Sequence, residues 1–132
     1  MSGKAAPRFR SPLHQAKGLG SAKSGTGHFW WQRVTAVILA ILVPYIVFML
    51  ACLAGSDADT LRMTIAKPWN AIIFSVFAIA LFWHAKLGLQ VVIEDYVHDR
   101  NMHLVLRILL ILGSLVGVLS AIYAIARIAM TA

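Results

Sequence analysis

Three long apolar runs decide what this chain can fold into. The first covers about residues 31–54 and has no charge after Arg33; the second covers about 69–93, with Lys86 its one formal charge; the third covers about 104–126, uncharged after Arg107. Crossing a bilayer takes about 20 apolar residues, because the hydrocarbon core is about 30 Å thick and a helix rises about 1.5 Å per residue. Inside lipid a backbone must satisfy its own N–H and C=O groups, so each run is predicted to be a helix. A hydrophobic share of 60% over 132 residues is too high for an ordinary soluble domain of this size. The expected fold is an all-α membrane protein with three transmembrane helices. Residues 1–28 form an extended basic arm and residues 29–132 a three-helix membrane domain. Too little chain remains outside the membrane for a soluble catalytic domain.

The charge distribution predicts the orientation. The net charge is +7, and residues 1–33 hold Lys4, Arg8, Arg10, Lys17, Lys23 and Arg33 with no acidic residue. Cations beside a first membrane span are expected on the cytoplasmic face. They are a topology signal here, with anionic lipid or an acidic partner surface as further contacts, and not a nucleic-acid footprint. With the N-terminus inside, Arg100 and Arg107 join those six, against Arg62, Lys67 and Arg127 on the other side. Eight against three predicts N-inside and C-outside. The arm has no apolar core segment, so it does not read as a cleavable secretory signal, although its acid-free composition is compatible with a mitochondrial transit peptide. Its Gly-rich stretch at 18–27 lacks the Gly-Lys-Ser/Thr ending of a phosphate loop.

Local features punctuate the spans. Trp30 and Trp31 suit an interfacial aromatic belt. Pro44 is predicted to kink the first span or to be relieved by a neighbouring helix. Residues 55–67 read as a short loop of mixed charge, and Pro68 suits the first turn of the second helix. Gly113 and Gly117, spaced GxxxG, predict close helix packing in the third span. Cys52, the only cysteine, reads as a packing residue.

The second span carries the chemistry. His84 is the only histidine within the three apolar runs, and an ionisable ring inside a membrane marks a functional candidate. At about 100° per residue, Gly88, Val91 and Asp95 share its face. Two readings are open for His84: an interhelical hydrogen bond, or an axial ligand of haem, with Gly88 one turn away leaving room for a flat ring. No second intramembrane histidine or well-placed methionine is present, so if a haem has two axial ligands the second must come from another chain. Arg33 suits a haem propionate, and Lys86 is the weaker candidate because it is free to snorkel. His98 and His103 read as solvated interface residues. Tyr96 offers a phenol donor at the interface, suited to a quinone carbonyl or simply to the aromatic belt, with Asp95 and Glu94 beside it.

The pattern His84-Ala85-x-x-Gly88 followed by Asp95-Tyr96-Val97 closely resembles the second helix of the small hydrophobic (D-type) membrane-anchor subunits of succinate dehydrogenase, respiratory complex II. Arg33-Val34-Thr35-Ala36 resembles the start of their first helix, and the arm over 17–28 is similar to the alphaproteobacterial branch. The resemblance implies a subunit that is not catalytic alone. Its partners would be a larger cytochrome b anchor subunit, an iron–sulfur subunit and a flavoprotein subunit, the last two carrying the iron–sulfur clusters and FAD. It implies haem b shared between the two anchors with His84 as axial iron ligand, Arg33 near the propionates, and Tyr96 with Asp95 at the ubiquinone site. It places the chain in the tricarboxylic acid cycle and aerobic electron transport, as a multi-pass protein of the bacterial inner membrane in preference to the mitochondrial one. A homodimeric b-type cytochrome, a fumarate reductase anchor and a cofactor-free assembly protein are the alternatives.

Overall fold

The computed structural model describes residues 23–132, with side chains described from Thr26 onward. It contains α1 (Lys23–Cys52), α2 (Ala58–Ala66), α3 (Pro68–Tyr96) and α4 (Arg100–Thr131). The three long helices are those expected from the apolar runs, and each is long and apolar enough to cross a membrane. They extend past the runs at most ends, because helical hydrogen bonding continues into the polar flanks until a cap stops it. Residues 23–28, read from sequence as the end of the arm, are the first turns of α1. The remainder of the basic arm, residues 1–22, lies outside the described residues.

The segment read as a loop over 55–67 needs correction, since it contains α2. Leu61 and Ile65 are one turn apart and turn inward, while Arg62 and Met63 are exposed. Asp57 stands at the N-cap position and accepts the Thr60 hydroxyl. That bond holds the fully exposed Asp57 carboxyl below its ordinary range. α2 has the clearest apolar face of the four helices, but at nine residues it is too short and too polar to stand out as an apolar run; packing against α3 and α4 holds the helix in place. Gly55, at φ 90°, makes the turn between α1 and α2 that an L side chain resists.

α3 is the middle of the bundle. It packs against α1 on one side and α4 on the other, and among the described residues α1 and α4 do not approach each other closely. At Gly117 the α3–α4 seam is close enough that an added Cβ would collide with the Phe82 ring. Gly113 meets nothing in this chain, so of the predicted glycine pair only Gly117 packs. Few side chains are buried: Ile46, Ala78, Ala80, Leu87, Thr35 and Asn70. Large apolar side chains face outward along every span, as expected where lipid and partner helices are the solvent. α1 runs past Pro44 without ending, and Cys52 is exposed rather than packed.

The two ends of the bundle are closed differently. Beside α2, Tyr45 donates its hydroxyl to Asn70 Oδ1 (3.1 Å), and Asn70 Nδ2 donates to the Thr64 carbonyl (2.7 Å), tying α1, α3 and α2 together. At the opposite end, Asp99 caps α4 by accepting the Met102 N–H at 2.8 Å. The α3–α4 turn is thereby fixed just beyond Tyr96.

Candidate functional site

α3 remains helical through Asp95 and Tyr96. The axial separation of His84 and Tyr96 is therefore about 18 Å at about 1.5 Å per residue. His84, Gly88, Val91 and Asp95 fall within about 60° of one another around the axis, with Tyr96 about 120° from His84.

α1 supplies the partner of His84. Thr35 is buried, and its Oγ1 is 3.0 Å from His84 Nδ1. A threonine hydroxyl has one proton. Here it is directed back at its own helix, to the carbonyls of Trp31 at 2.8 Å and Gln32 at 3.2 Å. When that proton stays on the helix carbonyls, the hydroxyl oxygen accepts from the ring and Nδ1 carries the hydrogen. The neutral imidazole has one N–H, which leaves Nε2 with its lone pair free. Both readings of His84 thus meet in one side chain: Nδ1 makes the interhelical hydrogen bond, and Nε2 remains available as a ligand. Metal-bound histidines commonly donate their second nitrogen's proton in this way, which fixes tautomer and ring orientation.

The surroundings suit a flat ligand. A Cβ placed on Gly88 would meet nothing closer than Gln32 Nε2 at 3.8 Å, so the backbone below the ring is open. Trp31 and Trp83 pack together beside it, centroids 5.5 Å apart. No group of three or more His, Cys, Asp or Glu side chains comes together among the described residues. One histidine with a free nitrogen suits a metal whose remaining ligands belong to a macrocycle and to another chain, not a bare ion.

The structure separates the other candidates. Arg33 is two positions from Thr35, about 200° round α1, so it points away from α3. It is exposed, with its guanidinium 4.9 Å from the Phe29 ring centroid. Lys86 lies over the Trp83 ring at 5.8 Å, on the far side of α3 from His84. Tyr96 is 79% exposed, with its phenol unpaired among the described residues, and Asp95 beside it is exposed too. His98 is exposed and its Nδ1 donates to the Tyr96 carbonyl at 3.2 Å. Thr35 is the residue that sequence reasoning left without a role. A threonine in an apolar run is ordinary, and only its pairing across 49 positions distinguishes it.

The profile of the succinate dehydrogenase/fumarate reductase transmembrane subunit family matches residues 7–124. The chain belongs to this family. Among similar proteins, the succinate dehydrogenase hydrophobic membrane anchor subunit of Rickettsia bellii is 34% identical over 117 residues, covering 89% of this chain and 94% of its own length. The subunit of the same name from Paracoccus denitrificans is 32% identical over 125 residues, covering 95% and 96%. A succinate dehydrogenase membrane anchor subunit of Reclinomonas americana is 36% identical over 86 residues, covering 63% and 72%. The family match spans α3 entire, so family membership includes the half of α3 that carries His84 and Tyr96.

Proposed function

We propose that this chain is the hydrophobic membrane anchor of a succinate dehydrogenase, non-catalytic alone, and that His84 Nε2 would hold the iron of a b-type haem shared with the larger anchor subunit. The observation that carries the haem assignment is the Thr35–His84 hydrogen bond, which spends Nδ1 and leaves Nε2 bare. Haem, when bound, supplies a one-electron carrier within the membrane. Thr35 holds the imidazole plane and its tautomer, and Gly88 keeps the adjacent backbone clear. Arg33 could reach a propionate only outside the α1–α3 seam, on a side open to the partner anchor.

At the end of α3, Tyr96 donates its phenol proton to a ubiquinone carbonyl, and Asp95 lies next to it on the same exposed turn. Both open away from the bundle, so the site is completed by the other subunits. The flavoprotein subunit oxidises succinate, the iron–sulfur subunit passes electrons on, and this chain with its fellow anchor holds them at an inner membrane. The N-terminus of α1 and the α3–α4 turn lie on the inner side, consistent with the eight-to-three cation count. In a Cys52→Ser background, a cysteine at position 131 should react with an impermeant outer reagent; labelling only after permeabilisation would reverse the orientation.

The test of the haem assignment is His84→Leu in the complex purified with its partner subunits. Haem per complex should fall at least tenfold, or its low-spin b-type spectrum should change to high-spin. Full haem content with an unaltered spectrum would remove His84 from the iron.

A further inference from the structure

One side of α3 carries a feature that neither the haem nor the quinone reading uses. Val76, Ile79, Trp83, Gln90 and Glu94 lie within about 60° of one another around the helix. At the Glu94 end this stripe opens into a cleft of about 520 Å³ between α1, α3 and α4. Tyr96, two positions on, points about 200° away, so the cleft and the quinone tyrosine are on opposite sides of α3.

Five polar side chains stand in this cleft among the apolar Phe29 and Val91, with Glu94 and Arg107 exposed at its rim. His28 and Gln32 line it from α1, Gln90 and Glu94 from α3, and Arg107 from α4. His28 Nε2 and Gln32 Oε1 are buried atoms with no hydrogen-bond partner among the described residues. Glu94 accepts only from Gln90 Nε2, at 2.8 Å, and is not within ion-pair distance of Arg107. Buried polar groups left unmatched are costly, and opposite charges on two walls of one cleft favour a guest that answers both.

Two separate apolar grooves lie farther along the same side of α3. One, of about 380 Å³, runs between α3 and α4 past Ile111 and Leu115; Lys86 lines it one turn above Gln90. The other, of about 220 Å³, runs between α1 and α3 past Val34 and Ile38; Trp31 lines it, next in chain to Gln32. Ile79 and Trp83 line both and form the ridge between them.

A cleft holding polar groups at head-group level, with two apolar grooves farther along the same side, has the outline of a two-chain lipid. We infer that this face binds one diacyl phospholipid with a primary-amine, net-neutral head group of the ethanolamine class. Arg107 and the His28 Nε2 proton donate to the phosphate. Glu94 and Gln32 Oε1 accept from the ammonium, which a quaternary choline, having no N–H, cannot satisfy. An anionic head would leave Glu94 unanswered and repelled. The acyl chains fill the two grooves, where their methylenes supply the dispersion attraction that an empty wall forgoes. Neither the haem nor the quinone assignment is needed for this lipid to bind.

The experiment uses the assembled complex in mild detergent, with bound lipid extracted and weighed by mass spectrometry after detergent exchange. One ethanolamine phospholipid per copy should be retained, and Arg107→Gln and Glu94→Gln should each lower retention at least fivefold with haem content intact. Delipidated wild-type complex, offered equal ethanolamine, choline and glycerol phospholipids, should take up the ethanolamine form at least fivefold over the others. That arm decides the matter alone if the variants do not assemble. Unselective uptake, or retention unchanged in both variants, overturns the inference. So does near-complete cross-linking of Lys86→Cys, in Cys52→Ser, to a partner subunit, since a protein helix would then cover the face.

Discussion

The two ends of the bundle differ in how completely the chain answers its own polar groups: at the second end Asp99, Glu94 and His98 find partners, yet two buried atoms do not. At the end where α1 turns into α2, Tyr45, Asn70 and the Thr64 carbonyl answer one another within the chain. Thr60 likewise answers Asp57, and Ser56 answers the Leu53 carbonyl. At the other end, the Tyr96 phenol, His28 Nε2 and Gln32 Oε1 have no partner among the described residues, and Glu94 and Arg107 form no ion pair there. Midway along α3, His84 uses one nitrogen and leaves the other. In a membrane an unanswered polar group is expensive. Of the groups left unanswered, only His28 Nε2 and Gln32 Oε1 are buried; Tyr96, Glu94 and Arg107 are exposed. The proposed haem ligand, quinone donor and head-group cleft all fall between the middle of α3 and the second end.

The sharpest way to break this contrast is through the seam that joins the ends. Gly117→Leu forces a side chain into Phe82, and overpacking of this kind costs about 1–3 kcal/mol. The purified complex should melt earlier and yield less, while Gly113→Leu, facing open space in this chain, should stay within about 0.5 kcal/mol of the parent. Equal losses from both would mean that the Phe82 contact is not the cause.

A paired substitution separates the ends themselves. Tyr96→Phe keeps the ring and removes a donor worth about 0.5–1.5 kcal/mol, so succinate–quinone turnover should fall about two- to tenfold. Haem content and succinate oxidation with a soluble acceptor should hold. Asn70→Leu removes the centre of the other network; it should lower thermal stability by about 1 kcal/mol and leave quinone turnover as it was. Quinone turnover that responds to Asn70→Leu and not to Tyr96→Phe would invert the comparison.

The smallest effect concerns α2. The Thr60 hydroxyl holds the Asp57 carboxyl below its ordinary range, so the folded state binds this proton less readily than the unfolded one. Its contribution is present above an unfolded carboxylate value of about 3.9 and is lost as pH falls through the lower folded value. Amide exchange in α2, corrected for intrinsic rates, should rise slightly on acidification below that point. Asp57→Asn, which keeps an oxygen to accept from Thr60, should abolish the pH dependence; a dependence that persists would assign it to another group.

Hydropathy alone placed three helices at about the right residues, because the length of an apolar run and the thickness of a bilayer are both one-dimensional quantities. Periodicity alone also put His84, Gly88 and Asp95 on one side of α3, since a helix of known pitch sets angles without tertiary information. Hydropathy missed α2, nine residues long and far short of a span, and the GxxxG spacing credited Gly113 with packing that within this chain only Gly117 performs. Arg33 was matched to a propionate by its charge and its place at the end of the span; the rotation of α1 sets its direction, about 200° from Thr35. Which face of α1 meets α3 is decided by packing, and no charge or hydropathy count contains it. The same rotation brought Thr35 to His84 and so decided which imidazole nitrogen is free. A sequence states which groups are polar and how deep they lie; only the juxtaposed helices decide which of those groups are already answered and which still await a partner.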